Sequence, residues 1–205
     1  MNQVLRWGGV ASGVVLIAFG VVVIVLAING HNTVTDELKQ QQITGTPDMT
    51  PQAIKAEAAQ SLGTGLNDVT YPTCTVAGQS VDTGSEARCF AQYMQIHALE
   101  ATGGLVYSQM GRYEAHPDAP KSQLTPDGAT NNPQYAAIDP ATKLPVDNAA
   151  RNVWVTETAL ATALNTSYMA TQLSLFSLVV GIALLLAGVG FIVLALGGTS
   201  RRSAD

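Results

Sequence analysis

The sequence predicts an all-α fold: a two-span transmembrane helical hairpin with a disulfide-stapled extracytoplasmic helical cap. Three features of the 205 residues predict it. Two apolar runs carry no charged side chain, apolar residues recur at helical spacing between them, and both cysteines, Cys74 and Cys89, lie in that intervening segment. Overall, 47% of residues are hydrophobic and 12% charged, an apolar balance for a chain of this length.

The apolar excess collects in Gly8 to Ile28 and in Leu173 to Gly198. At about 1.5 Å per residue each run can cross a hydrocarbon core roughly 30 Å thick. Val25-Leu26-Ala27 offers a passable signal-cleavage site. The first run, however, exceeds the roughly 7 to 15 apolar residues of a secretory signal, so a retained anchor is expected.

Arg6 precedes the first span and Arg201 and Arg202 follow the second, which predicts cytoplasmic termini in a two-pass plasma-membrane protein. The expected organisation is a cytoplasmic N-terminus at 1–7, spans at 8–30 and 173–198, an extracytoplasmic domain at 31–172, and a cytoplasmic tail at 199–205. Residues 31–172 hold 14 Asp and Glu against 7 Lys and Arg, a balance that disfavours nucleic acid as a partner.

Within the outer segment, Val34, Leu38 and Gln41 predict that the first helix extends through Thr33 to Gln42 and ends near Gly45 and Pro47. Thr50-Pro51 opens a short helix to Leu62, with Ile54, Ala58 and Leu62 on one face. Gly63 to Gly84 reads as irregular structure ordered by a Cys74–Cys89 disulfide, the pairing expected in an oxidising compartment. Ser85 to Thr102 is the predicted core helix, its apolar stripe made by Ala87, Phe90, Ala91, Met94, Ala98 and Ala101, and Gly103-Gly104 ends it. Tyr107 to Tyr113 predicts a further turn or two. Glu114 to Asp147, rich in Pro, Asn, Asp and Thr, reads as a long loop. Asp147 then caps a helix with Val153, Thr156, Leu160, Leu164 and Ser167 on one face, continuous with the second span.

In the spans, Gly9-x-x-x-Gly13 and Ala183-x-x-x-Ala187 are candidate helix-packing motifs, with Gly20, Gly181, Gly188 and Gly190 as further small residues that allow close helix approach. Neither span contains an ionisable group, which argues against a transporter or proton channel. Trp7 and Tyr168 suit interfacial anchoring, whereas Trp154 is placed to pack against the core helix or a partner.

His97, with Glu100 one turn on, is the candidate binding or structural motif, together with Thr102, Gly103 and Gly104. The plainer reading is a histidine at the domain edge bonded to Glu100 or a carbonyl. His116-x-Asp118 offers two donors of an iron triad, but a loop full of Pro and Asp supplies no rigid surround for a metal. No Gly-x-Ser-x-Gly, Gly-x-x-x-x-Gly-Lys or His-Glu-x-x-His motif occurs. No catalytic residue, cofactor or metal is assigned, and a non-enzyme is expected.

Two stretches carry a family resemblance. Tyr93 to Gly104, Tyr-Met-Gln-Ile-His-Ala-Leu-Glu-Ala-Thr-Gly-Gly, followed by Val106-Tyr107, is similar to a helix ending in His-x-Leu-x-Ala-Thr-Gly-Gly in a group of actinobacterial two-transmembrane-helix proteins of unassigned function. Ala163 to Phe176, with Ala-Leu-Asn-Thr-Ser-Tyr-Met and Leu-Ser-Leu-Phe, resembles the entry to that family's second span, and Val34 to Ile43 extends the likeness. The segments around Cys74–Cys89 and Glu114–Asp147 depart from its shorter members. The resemblance implies this topology and an actinobacterial cell envelope. Such sequences often carry the label of an aromatic ring-opening dioxygenase, for which this chain lacks convincing iron ligands.

The function expected is an accessory or scaffold subunit of an envelope or respiratory membrane complex, with other membrane proteins and the lipid bilayer as partners. The alternative is an outer-side ligand-binding or sensing module around His97, Glu100 and Gly104. Homo-oligomerisation is left open.

Overall fold

The computed structural model describes residues 3–60, 66 and 69–197. Leu62, Gly63, Gly198, Arg201, Arg202 and the 199–205 tail lie outside the described residues. Among the described residues there are four α-helices, α1 (Gln3–Gln40), α2 (Pro51–Gln60), α3 (Gly84–Ala101) and α4 (Ala149–Gly197), with single 3-10 turns at Tyr107–Gln109, Lys121–Gln123 and Pro133–Tyr135. Among the described residues there are isolated bridges but no strand. The chain forms two compact units, one comprising residues up to Gln40 and from Tyr168 onward, the other Gln41–Ser167.

In the first unit, α1 and the second part of α4 run antiparallel, and both helices are long and apolar enough to cross a membrane. Glycine lets the two backbones touch. A Cβ on Gly13 would lie 2.6 Å from the Gly188 carbonyl oxygen, and one on Gly20 would lie 2.8 Å from that of Gly181. Gly13, Gly20 and Ala27 on α1 and Gly181, Gly188 and Ala195 on α4 are all buried and recur every seven residues. That is the period of a left-handed helix pair, in which one face keeps returning to the partner. Gly9 faces Ala195, whereas Ala183 and Ala187 are exposed. Phe19, Leu26, Phe176, Leu186 and Leu194 cover the outer surface.

α1 ends at Gln40, short of the expected end near Gly45 and Pro47, because Gln42 follows with φ 51°, a reversal no right-handed helix accommodates. The second unit opens with 43–45 laid against 76–81. Val81 N–H donates to the Ile43 carbonyl at 2.9 Å, and Gly45 N–H donates to the Gln79 carbonyl at 3.0 Å. A Cβ on Gly45 would fall 2.0 Å from the Val76 carbonyl oxygen, so only glycine fits there. α2 begins as expected, with the Thr50 hydroxyl accepting from Ala53 N–H, and it buries Ile54 and Ala58.

α3 is the centre of this unit. A capping box starts it: Glu86 N–H donates to the Thr83 hydroxyl, and Asp82 and Thr83 N–H donate back to the Glu86 carboxylate at 2.9 Å each. Cys89 forms the disulfide with Cys74, and the fully buried Tyr93 donates its hydroxyl to the Cys74 carbonyl at 2.6 Å. The predicted stripe is therefore too narrow. Tyr93, Ile96 and Leu99 are buried along with Ala87, Phe90, Ala91 and Ala98, because α3 is packed on more than one side, and Ala101 is exposed. Gly103 and Gly104, with φ of 63° and 79°, end the helix as expected.

Glu114 to Asp147 is more ordered than a solvated loop. Tyr113 bridges both Thr130 and Asp147, and Ala115 bridges Ala136. Asp127 holds this lobe together: its carboxylate accepts from Gly111 N–H, Ala129 N–H, the Thr125 hydroxyl and the Asn148 side-chain amide. Burial pushes the Asp127 carboxyl up, but these hydrogen bonds outweigh it and hold the group below the ordinary carboxylate range. α4 is capped by Asn148, not Asp147. The Asn148 side-chain oxygen accepts from Ala150 and Arg151 N–H, while its amide donates to the Gly111 carbonyl and Asp127. Only an amide supplies both roles.

Candidate functional site

Three short segments of the second unit meet around His97. The first is the turn Thr46–Thr50, closed by Met49 N–H donating to the Thr46 carbonyl, which presents Asp48. The second is α2, where Glu57 follows the buried Ile54 by three residues and so borders the helix's core face. The third is the last turn and a half of α3, which carries His97 and Glu100 beside the buried Ile96, Ala98 and Leu99.

His97 lies between carboxylates. Its Nε2 is 3.1 Å from Asp48 Oδ2 and its Nδ1 is 3.3 Å from Glu100 Oε2. The Nδ1 contact is a hydrogen bond. The Nε2 contact is close but not aligned as one, and Nε2 is shielded from solvent without a hydrogen-bond partner, as is Glu100 Oε1. The Glu57 carboxyl lies within electrostatic reach of Glu100. Burial first, then the charge of Glu100, raises the Glu57 carboxyl above its ordinary range, and the nearby imidazole opposes this. Asp48 is shifted the other way, lowered by the Thr46 side chain, its own backbone N–H and His97 against a smaller cost of burial.

One donor atom from each of Asp48, Glu57 and His97 lies within 4.8 Å of the others, making this the set among the described residues that can hold a metal ion. Sequence reasoning selected His97 and Glu100 but missed Asp48 and Glu57. Neither belongs to a local pattern, and only the packing of α2 on α3 brings them in. Thr102, Gly103 and Gly104 serve the helix terminus. The buried Thr102 hydroxyl is 2.7 Å from the Leu105 carbonyl, and Gly104 N–H donates to the Leu99 carbonyl at 2.7 Å. His116 and Asp118 are exposed, and His116 Nδ1 accepts from Asp118 N–H in a tight turn. A set of two histidines and a carboxylate, as an iron dioxygenase uses, is not assembled among the described residues.

Beside His97 a groove of about 510 Å³ runs between α3 and α4, lined by Met94, His97 and Ala98 on one wall and Val153, Glu157 and Leu160 on the other. Glu157 is only 6% exposed, and burial raises its carboxyl, with a partial offset from the Thr158 hydroxyl. This carboxyl, rather than Thr156 or Val153, occupies the inner face of α4, a departure from the predicted stripe. On the far side of α4, Tyr107, Trp154, Val155, Thr158, Ala159 and Thr162 line a second apolar groove of about 580 Å³. The Arg151 guanidinium stacks 4.3 Å over the Tyr107 ring and donates to its hydroxyl, fixing that wall.

In comparisons with protein families, curated proteins and solved structures, nothing matches this chain.

Proposed function

We propose that the protein is a non-catalytic accessory subunit of an actinobacterial envelope or respiratory membrane assembly. In this reading α1 and α4 anchor it in the plasma membrane, with both termini cytoplasmic and 31–172 outside. The observation that carries the proposal is the unpartnered apolar face of α4. Val155 and Tyr107 are 48% and 46% exposed beside Trp154, and grooves open on both sides of the helix. Contiguous apolar surface of this kind on a lobe rich in polar turns is the mark of a surface that another protein covers. An apolar groove of this volume and lining suits an amphipathic or membrane-proximal helix of a neighbouring subunit.

The test is site-specific photo-crosslinking in native membranes with the probe at Val155, at Trp154 and, as a control, at Lys143. The reading predicts one defined membrane-protein adduct from the first two positions and none from the third. Adducts with this chain alone, or equal labelling from all three, would overturn it.

The position of His97 on the α3 wall of the other groove supports a second reading, an outer-side module that takes an amphiphilic ligand there. Saturable protection of Met94 from oxidation by added lipid extract is expected on that reading. Unchanged oxidation would remove it.

A further inference from the structure

We propose that Asp48, Glu57 and His97 form a divalent transition-metal site in the second unit, with Glu100 as the positioning residue that orients the imidazole. It stands independently of the docking reading.

Four observations carry it. The donors are mixed, one imidazole nitrogen and two carboxylates, and come from a turn, α2 and α3, so that folding is what gathers them. The spacing fits. Metal–ligand bonds of about 2.0–2.2 Å in a tetrahedral site put ligand atoms about 3.3–3.5 Å apart. Asp48 Oδ2 and His97 Nε2 already stand at 3.1 Å, and one donor atom from each of the three residues lies within 4.8 Å of the others. The outer contact fits as well, because a metal-bound histidine commonly holds its other nitrogen on a carboxylate, as His97 Nδ1 does with Glu100. Finally, the orphaned atom is the one that would ligate. Nε2 is hidden from solvent and faces a carboxylate without an aligned hydrogen bond, an arrangement that a cation between them satisfies.

The donor set also selects the ion. An imidazole ligand disfavours Ca2+ and Mg2+, which take oxygen, and favours Zn2+ and its first-row neighbours. Three protein ligands leave a fourth position for water. Bound there, the ion ties the Thr46–Thr50 turn and α2 to the end of α3.

The experiment uses the full chain in detergent, without a polyhistidine tag and with its disulfide intact, stripped with a chelator and titrated calorimetrically with Zn2+, Mn2+ and Ca2+. Expected are one Zn2+ per chain, weaker Mn2+, no comparable Ca2+ binding, and a thermal midpoint that rises with Zn2+. Asp48→Asn and His97→Gln should each weaken Zn2+ at least about tenfold, Glu100→Gln about 10- to 100-fold, and His116→Gln not at all. Should His97→Gln fail to fold, Asp48→Asn and Glu57→Gln, on the turn and on α2, carry the same test. Absence of stoichiometric Zn2+ binding, binding that the ligand variants leave intact, or a preference for Ca2+ would each overturn the proposal.

Discussion

Replacing Asp127 with alanine should selectively loosen the 105–148 lobe. The carboxylate accepts four hydrogen bonds, but they are not equally exposed to its loss. The Thr125 hydroxyl keeps the Ala129 carbonyl at 2.9 Å, and the Asn148 amide keeps the Gly111 carbonyl at 2.8 Å. The N–H groups of Gly111 and Ala129 have no second acceptor and are left orphaned in a part-buried place. An unsatisfied donor costs about 1–3 kcal/mol, and because water reaches this site about 1–1.5 kcal/mol is taken for each of the two, a loss of about 2–3 kcal/mol. Hydrogen exchange at Gly111 and Ala129 should then accelerate roughly 30- to 150-fold. The amides of α3 around Tyr93 should stay protected. A change of less than about threefold at Gly111 and Ala129, or equal loss of protection in α3, would refute the reasoning. The same carboxylate has a depressed pKa, so its stabilisation is complete above the ordinary carboxylate range and is lost as pH falls through the folded value. The stability gap between the natural chain and Asp127→Ala in urea should therefore narrow below about pH 4.

Three further outcomes follow. Gly13→Val puts carbon 2.6 Å from the Gly188 carbonyl oxygen and from Ile192 Cγ1, and should cost about 1–3 kcal/mol of helix-pair stability in detergent, while Ala183→Val, on an exposed position, should change the thermal midpoint little. Opening the disulfide with paired Cys74→Ser and Cys89→Ser changes, which frees a link across a separation of 15 residues, should cost about 3 kcal/mol in urea denaturation, with the 69–82 segment exchanging first. Thr83→Ala removes one side of the capping box and should lower stability by about 1 kcal/mol, with the exchange change confined to the first turn of α3.

What was legible in the sequence is what is local. The long apolar runs, the Thr50-Pro51 start of α2, the 3.6-residue rhythm of α3 and its Gly103-Gly104 stop all rest on interactions within a few residues, and the structure carries each of them. The helix-pair contact was half legible. Gly13, Gly20, Gly181 and Gly188 were readable as small residues that permit close approach, and they line the contact, but four-residue spacing concealed the seven-residue rows they form and drew in Ala183 and Ala187, which are exposed. Glu114–Asp147 is a loop as read, without α-helix or strand, but its order was not legible, because the residues that build turns are the same whether the turns are solvated or knit to a carboxylate such as Asp127. Asp48 and Glu57 stayed hidden for a different reason. Each is an ordinary surface residue in its own segment, and it is the docking of α2 against α3 that brings their carboxyls to His97.

The most direct test of the central claim is purification from native membranes in mild detergent by a C-terminal tag, with quantitative mass spectrometry of what remains bound. An accessory subunit predicts a defined set of membrane proteins at near-equal amounts, lost when Trp154 and Val155 are both changed to Asp. Recovery of this chain alone or as a homo-oligomer, or a partner set indifferent to those two changes, would contradict it.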